Sequence, residues 1–381
     1  MTRRLATLLQ PRRAPGLARF APAALVAVAV GVAVTPRPAT LVERAYAGAL
    51  YPALQAGLTT LSNAVPIALL DIAIVAAIGA ALWCWLGAVR QTRRTRAVAP
   101  LLAAARVTAV VAAVGYLWFV TVWGLNYARQ PLDDRLHLPP DAASAAEVLT
   151  LLDLAVEGAN RHYGAAHADR LTSSDTEREI ARALHAVEAR HGRPRATVPG
   201  RPKPTLLAAY FRMAGVDGLT APVALETLLN PDLTPSERPF VLAHEWAHLS
   251  GYAPEADANF MAWLITMEPG AGVVSRYSGY LFLLSETAVQ VPREARRVSL
   301  ARLTEGPRRD LDAIAARARQ RIDVVQRVGW RVYDRYLQSQ GVREGIMSYS
   351  RVVDVIARAR RAPRAPDAPA APPAGLPPMP Q

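Results

Sequence analysis

The chain has 381 residues, a formal net charge of +13 and 51% hydrophobic residues. This length leaves room for more than one small domain, and the hydrophobic content excludes a globally disordered protein. The chain contains a single cysteine, Cys84. A disulfide framework and any multi-cysteine zinc or iron–sulfur site are therefore excluded.

The positive charge is unevenly distributed. Residues 131–350 hold 26 basic and 27 acidic residues, whereas the arginine excess flanks apolar segments within residues 1–130 and recurs in the C-terminal tail. A nucleic-acid-binding surface needs basic residues gathered on a folded domain. We therefore predict no nucleic-acid partner.

The N-terminal part is typical of a membrane protein. A basic arm at 1–19 precedes a predicted three-helix transmembrane region at 20–125, with apolar stretches at 20–35, 64–89 and 107–125. A spanning helix needs about 20 apolar residues, so the second and third stretches qualify and the first is marginal. The first stretch has an alternative interpretation, the apolar region of a signal peptide.

Arginine placement predicts the orientation of these helices. Two arginine clusters, one before the first stretch and one at 90–96, belong in the cytoplasm by the positive-inside rule. Everything after residue 125 then lies outside a multi-pass cytoplasmic membrane protein, and the basic arm contacts anionic membrane lipid. Asp71 lies within the second stretch. We expect it near the outer interface, protonated or paired with a neighbouring span, with a functional intramembrane carboxylate as the alternative.

The predicted extracytoplasmic domain at 126–360 is mainly α. Apolar spacing predicts helices over 144–163 and 175–191, the latter capped by Ser173 or Ser174 and ended by Gly192, and again from 234 to about 357. Short apolar runs at 205–211 and 218–225 predict a small irregular or β element before the helix at 234. The tail at 361–381 is rich in Pro and Ala and is expected to be disordered or extended.

One motif carries chemistry. Residues 244–248 read His-Glu-Trp-Ala-His. On a helix, His244 and His248 share a face and can reach one metal ion, with Glu245 beside them as general base. The sequence Thr-Pro-Ser-Glu at 234–237 has the form of a capping box with proline at the first helical position, and Gly251 can end the helix in the left-handed conformation. The alternative is a surface helix carrying two idle histidines.

A catalytic zinc site usually has three protein ligands and one open position. The next acidic residues are Glu255 and Asp257, which point apart on a helix, so only one can face the metal. We favour Glu255, because Asn259 follows it on the same face as a hydrogen-bonding neighbour. Ordinary helix-start acids are the alternative for both. Weaker ligand candidates are Glu226, Glu286 and Glu294.

Several segments resemble a known family. The stretches HEWAHLSGY, EADANFMAWL, GLNYARQPL and VYDRYLQSQGVREGIMSYSRVVDVI are similar to the bacterial membrane family catalogued as domain of unknown function 3810, over roughly residues 60–358. This resemblance implies N-terminal transmembrane helices followed by a gluzincin-like zinc metallopeptidase domain. The run from Glu255 to Asn259 is also similar to the E-x-x-A-D element of integral-membrane zinc peptidases, whose first Glu ligates zinc. Only six residues separate His248 from Glu255, fewer than in those enzymes, and Pro254 stands where metzincins carry their third His.

The expected function is hydrolysis of peptide bonds at the outer side of the cytoplasmic membrane. Zn2+ bound by His244, His248 and Glu255 holds a water that Glu245 activates, and the substrate is a peptide or protein of the cell envelope. Candidate oxyanion donors are Tyr277, Tyr280 and Tyr349. The segment 218–229 offers either an edge strand for an extended substrate or turn-rich packing. The sequence predicts neither the substrate nor the oligomeric state.

A different class of function is also compatible with the sequence. The protein would then be a non-catalytic zinc-binding envelope receptor, or a structural or regulatory membrane protein whose arginine-rich arm or Pro-rich tail does the work. Retention of Glu245 favours the enzyme, because a site that has lost turnover tends to lose its base.

Overall fold

The structure is a computed structural model that describes residues 20–169, 172–193, 195–340 and 351–361. The predicted basic arm, the predicted disordered tail beyond Arg361 and the candidate oxyanion donor Tyr349 lie outside the described residues. The described chain is mainly helical, which confirms the predicted fold class at that level. It divides into two compact units, one formed by 20–36 with 74–121 and the other by 37–73 with 122–361.

In the described part of the first unit, two helices are long and apolar enough to cross a membrane. They are α4 (Leu69–Thr95), which begins in the second unit, and α5 (Ala99–Val122). Their apolar side chains are largely exposed, Trp83 to 84%. Such surfaces suit lipid rather than water. Within this unit the indole N–H of Trp85 on α4 donates to the Thr108 hydroxyl on α5 at 3.2 Å.

The first predicted span is not a spanning helix on its own. The helix α1 (Ala21–Val34) has 14 residues, which is too short to cross a membrane. It is long enough only if it forms one bent span with the helical stretch Ala39–Ala64, which follows after a break. Two prolines, Pro36 and Pro38, interrupt the backbone hydrogen bonding at that break. The stretch after the break comprises α2 (Ala39–Leu41), a π-helical segment (Val42–Leu50) and α3 (Tyr51–Ala64).

Residues 37–73 pack with the second unit, although the sequence places them in the membrane region. The reason is a set of polar side chains on α3 that are fully buried. The Gln55 amide donates to the Val198 carbonyl at 2.8 Å, and the Thr59 hydroxyl donates to the Leu225 carbonyl at 2.8 Å. Buried polar groups require such partners, and the second unit supplies them.

The described residues of the second unit form the remaining helices and two strands. In chain order these are a 3₁₀ turn (Gly124–Ala128), α6 (Leu132–Arg135), α7 (Ala145–Ala168), α8 (Ser173–Arg190), α9 (Ala208–Ala214), β1 (Gly218–Ala221), β2 (Glu226–Leu229), α10 (Arg238–Leu249), α11 (Glu255–Met267), a 3₁₀ turn (Pro269–Ala271), α12 (Gly272–Ala288), α13 (Arg293–Ala301), α14 (Glu305–Ala318), α15 (Asp323–Ser339) and α16 (Val352–Arg361).

The cap of α8 differs from the expectation. Neither Ser173 nor Ser174 is the N-cap; Thr172 is, and its hydroxyl oxygen accepts the Asp175 backbone N–H at 3.2 Å. The Asp175 carboxylate accepts the Thr172 backbone N–H in return, at 3.0 Å. This reciprocal pair is a capping box and satisfies two helix-end donors at once. Gly192 ends the region at a φ of +66°, as expected.

A small β element precedes α10, as predicted. Strands β1 and β2 pair antiparallel, with Gly218 opposite Leu229 and Ala221 opposite Glu226. The predicted strand at 218–225 is shorter than expected, because Leu225 has a φ of +48° and lies in the turn. The run at 205–211 is not a strand. It leads into α9, whose Phe211 packs in a core with Ala68, Ala221 and Leu228.

Two helix pairs form the centre of the second unit. α12 packs along α7, where Gly158 allows the Tyr280 ring to approach so closely that a Cβ would lie 2.3 Å from it. α10 packs against α11, α12 and β1. The helix that carries the His-Glu-Trp-Ala-His motif is therefore held on several sides, with nine of its side chains buried.

Candidate metal centre

The motif helix starts later than its capping signal predicts, and it ends at the predicted glycine. It begins at Arg238, so Pro235 is not its first residue. The Glu237 carboxylate accepts the Thr234 backbone N–H at 3.0 Å and also binds Arg317 on α14, and residues 235–237 form a turn before the helix. At the other end Gly251 has a φ of +83°.

A glycine turn brings the next helix back onto the motif. The Gly251 N–H donates to the His248 carbonyl at 2.7 Å and the Tyr252 N–H to the Ala247 carbonyl at 3.2 Å. These two bonds form a Schellman motif, which satisfies carbonyls at the helix end. A Cβ at residue 251 would lie 2.9 Å from Asn126 Oδ1, so the turn needs glycine for space as well as for φ.

The turn places Glu255 beside both imidazoles. Glu255 Oε2 lies 3.2 Å from His244 Nε2 and 3.5 Å from His248 Nε2. One ligand atom from each of the three residues lies within 4.8 Å of the other two. Two imidazoles and one carboxylate on neighbouring helices are a donor set that zinc accepts in catalytic sites.

The neighbours of this cluster orient its ligand atoms. With its proton on Nδ1, His248 donates to the Tyr252 carbonyl at 2.8 Å, which leaves Nε2 directed at Glu255. The Tyr333 hydroxyl on α15 donates to Glu255 Oε1, so that Oε2 is the oxygen that faces the imidazoles. His244 Nδ1 is buried and has no hydrogen-bond partner among the described residues. The orientations of His248 and Glu255 fit a cation bound between the three residues.

The electrostatics favour positive charge at the cluster. Burial lowers the pKa of His248, but the Glu255 and Glu245 carboxylates and the Tyr252 carbonyl together outweigh burial and raise it to about 9. Burial raises the pKa of Glu255, but the two imidazoles outweigh it and hold the pKa well below its usual range. A buried carboxylate that stays ionised is paired, by protons on the histidines or by a metal ion.

Glu245 is buried between α10 and β1. It is 3% exposed, and its Oε2 accepts the Thr220 hydroxyl on β1 at 2.8 Å. A Cβ at Gly218 would lie 2.4 Å from Glu245 Oε1, so the missing side chain on β1 makes room for this carboxylate. Burial raises the pKa of Glu245 above its usual value, although the two histidines act against this. A raised pKa suits a carboxylate that must accept and return a proton near neutral pH.

The other acidic candidates lie elsewhere. Asp257 faces Arg135, whose guanidinium lies 3.7 Å from its carboxylate, and burial raises its pKa to about 6. Glu226 forms an ion pair with Lys203 at 2.9 Å, and Glu294 pairs with Arg297 on the exposed face of α13. Glu286 is on α12 and outside the cluster. Asn259, the expected neighbour of Glu255, is buried one turn further along α11.

The structure places the candidate oxyanion donors in other contacts. The Tyr277 hydroxyl donates to Asp310 at 2.6 Å, and the Tyr280 ring stacks on His162. Sequence reasoning missed Tyr333, which lies 78 residues after Glu255 and has no motif spacing to it. It also missed Trp123, whose ring makes an edge contact with His248 at 5.9 Å between centroids.

Asp71 has a structural partner rather than another membrane span. Its carboxylate accepts the Thr205 hydroxyl and the Leu206 backbone N–H, each at 2.8 Å. It lies in the first turn of α4, in the second unit. It therefore ties the start of that helix to the segment leading into α9.

The chain belongs to the family described as "Protein of unknown function (DUF3810)", whose model matches residues 46–357. This finding confirms the family resemblance seen in the sequence. No curated protein and no solved structure matches the chain.

Proposed function

We propose that the protein is a membrane-anchored, zinc-dependent metallopeptidase with a zincin-like domain. The observation that carries the proposal is the convergence of His244, His248 and Glu255, with ligand atoms within 4.8 Å of one another, next to the buried carboxylate of Glu245. When bound, zinc supplies a Lewis acid that polarises a carbonyl and lowers the pKa of water.

The chain's own residues would perform the remaining tasks. Glu245 accepts a proton from the attacking water and returns it to the leaving amine. Thr220 holds that carboxylate through a hydrogen bond of 2.8 Å. Tyr333 and Tyr252 position the ligands Glu255 and His248 and are positioning residues rather than catalytic ones.

Strand β1 supports binding of an extended substrate. The Asn230 N–H donates to the Asp217 carbonyl at 2.8 Å, just beyond the Gly218–Leu229 pair. Because hydrogen-bonded and non-bonded pairs alternate in antiparallel ladders, the backbone groups of Gly218 and Thr220 point away from β2. A peptide pairing with this edge would lie beside Glu245.

The activity is tested with Glu245→Gln. This substitution preserves shape and removes the base, so we expect the full-length variant to keep its zinc while peptide hydrolysis falls at least about a hundredfold. Since the substrate is unidentified, the measurement compares the envelope proteome of cells carrying Glu245→Gln with that of wild type, in search of a protein that accumulates uncleaved. Equal proteomes with zinc retained would contradict the enzyme and favour a zinc-binding receptor.

The predicted location is tested separately. We propose that the second unit lies outside the cytoplasmic membrane, because the Arg90–Arg96 cluster at the end of α4 favours the cytoplasm. A reporter enzyme active only outside the cytoplasm, fused after Leu132, should be active. A reporter active only when it stays inside would contradict this topology, irrespective of zinc.

A further inference from the structure

The second unit exposes a set of large apolar side chains on α9 and α15. Just before and on α9, Leu206 and Tyr210 are 74% and 41% exposed. On α15, Val324, Val328 and Val332 are 60%, 47% and 65% exposed and, being four residues apart, share one face. We call these five side chains the α9–α15 surface. A water-soluble surface rarely leaves so many large apolar groups together without a partner.

The two helices pack against each other. α9 packs against α15, and the Ile322 N–H donates to the Met213 carbonyl at 2.9 Å. A Cβ at Gly329 would lie 3.0 Å from the Tyr210 hydroxyl, so α15 approaches α9 closely at this point. The exposed groups of both helices therefore belong to the same region of the second unit.

This region adjoins the start of α4, the first of the two helices suited to cross a membrane. Asp71 in the first turn of α4 accepts the Leu206 N–H at 2.8 Å. In the same place, Phe211 of α9 shares a core with Ala68, and Ile72 is 48% exposed. Since α4 starts beside this region, a bilayer that α4 crosses would begin next to the α9–α15 surface.

The charges on α15 identify the kind of lipid surface. Arg327, Arg331 and Arg335 are exposed and, being four residues apart, form a stripe next to the three valines. An apolar face bordered by basic side chains is typical of helices that lie in the membrane interface. Arginine stripes attract anionic headgroups.

We propose that the α9–α15 surface rests on the outer leaflet of the membrane, with its valines in the interfacial region and its arginines on anionic headgroups. The inference depends on α4 crossing a membrane and needs neither zinc nor hydrolysis. It has one consequence that rests on the proposed function: Tyr333, which contacts Glu255, is on the same helix, so the peptidase would act on protein segments at the bilayer surface.

Depth-dependent fluorescence quenching tests this contact. The full-length protein, with Cys84→Ala, carries a single new cysteine at Val324 or Val328, labelled with a polarity-sensitive dye in vesicles of phosphatidylcholine and phosphatidylglycerol. Val298→Cys is the matched control, because Val298 is 56% exposed on α13, which packs on α7. Nitroxide-labelled lipid should quench the dye at both α15 positions at least about threefold more than at Val298, as expected for side chains at interfacial depth.

Other results would overturn the proposal. Equal quenching at Val324, Val328 and Val298 would show that the surface does not touch lipid. A blue shift of the dye emission that is insensitive to nitroxide lipid and increases with the protein-to-lipid ratio would show that the surface binds a second copy of the chain. Vesicles of phosphatidylcholine alone should weaken quenching at Val328, and unchanged quenching would contradict the role of the arginine stripe. None of these readouts moves with zinc or with Glu245.

Discussion

Two clusters of buried charge in the second unit differ in how their hydrogen bonds are satisfied. In the ion-pair cluster, the Lys203 ammonium donates to Ser62 at 2.6 Å and to Glu226 Oε2 at 2.9 Å. The Glu226 carboxylate also accepts the backbone N–H groups of Leu69 and Leu70, at 3.0 Å and 2.7 Å. Donor groups surround this carboxylate, so its negative charge is fully paired within the protein.

The candidate metal centre has the opposite arrangement. The acceptors His244, His248 and Glu255 converge on one point, and the donor groups Tyr333 Oη and His248 Nδ1 are turned to its periphery. A cluster whose acceptors are all paired with protein donors stabilises the fold. Acceptors that converge without a donor between them can bind a cation. The contrast separates a structural role for Glu226 from the ligand role proposed for Glu255.

The largest expected effect comes from breaking the ion-pair cluster. Lys203→Met leaves Glu226 buried without its cation, which should cost about 3–5 kcal/mol of unfolding free energy. Denaturant unfolding of the detergent-solubilised full-length protein measures this loss. The double variant Lys203→Met with Glu226→Gln removes the unpaired charge and should recover much of it.

A matched surface pair provides the control for that measurement. Arg178 pairs with Asp175 at the exposed start of α8, so Arg178→Met should leave unfolding unchanged within error. If Lys203→Met were as mild as Arg178→Met, the ion-pair cluster would not hold the fold. Zinc content should stay the same in all of these variants, because Lys203 and Glu226 are not part of the candidate metal centre.

A smaller effect, on zinc affinity, is expected at the candidate metal centre. Tyr333→Phe removes the hydrogen bond to Glu255 Oε1 and should weaken zinc affinity about 10- to 100-fold, as loss of a group behind a metal ligand does. Competition with a chelator measures the affinity. The control is Tyr277→Phe, which removes a buried hydroxyl bound to Asp310 and should leave zinc affinity unchanged. Equal affinities in both variants would mean that Tyr333 does not position Glu255.

The two clusters also differ in how much of each the sequence predicts. Residues 244–248 form a recognisable motif because helical geometry fixes which side chains share a face. Gly251 predicts the turn that brings α11 back to this motif. Lys203 and Glu226 are 23 residues apart and Ser62 is 141 residues from Lys203, so no local spacing reveals them. The sequence does not predict Tyr333 for the same reason, because only tertiary packing brings α15 to Glu255.

The fold follows the same division. Helix periodicity predicts the mainly helical domain, and apolar length predicts α4 and α5, because both signals are local. The membership of residues 37–73 in the second unit depends on buried partners of Gln55 and Thr59 more than a hundred residues away. The short run at 205–211 is ambiguous, because a continuous apolar run of this length fits both a buried strand and a buried helix. The packing of Phe211 accompanies the helical outcome.

The central claim is that His244, His248 and Glu255 hold one zinc ion, and elemental analysis of the purified full-length protein tests it most directly. Wild type and Asp257→Asn should contain about one zinc per chain, whereas His248→Ala and Glu255→Ala should contain almost none, because three ligands are needed to hold the ion. His162→Ala is the control for loss of an imidazole outside the cluster and should keep its zinc. Undiminished zinc in Glu255→Ala, or its loss in Asp257→Asn instead, would contradict the account.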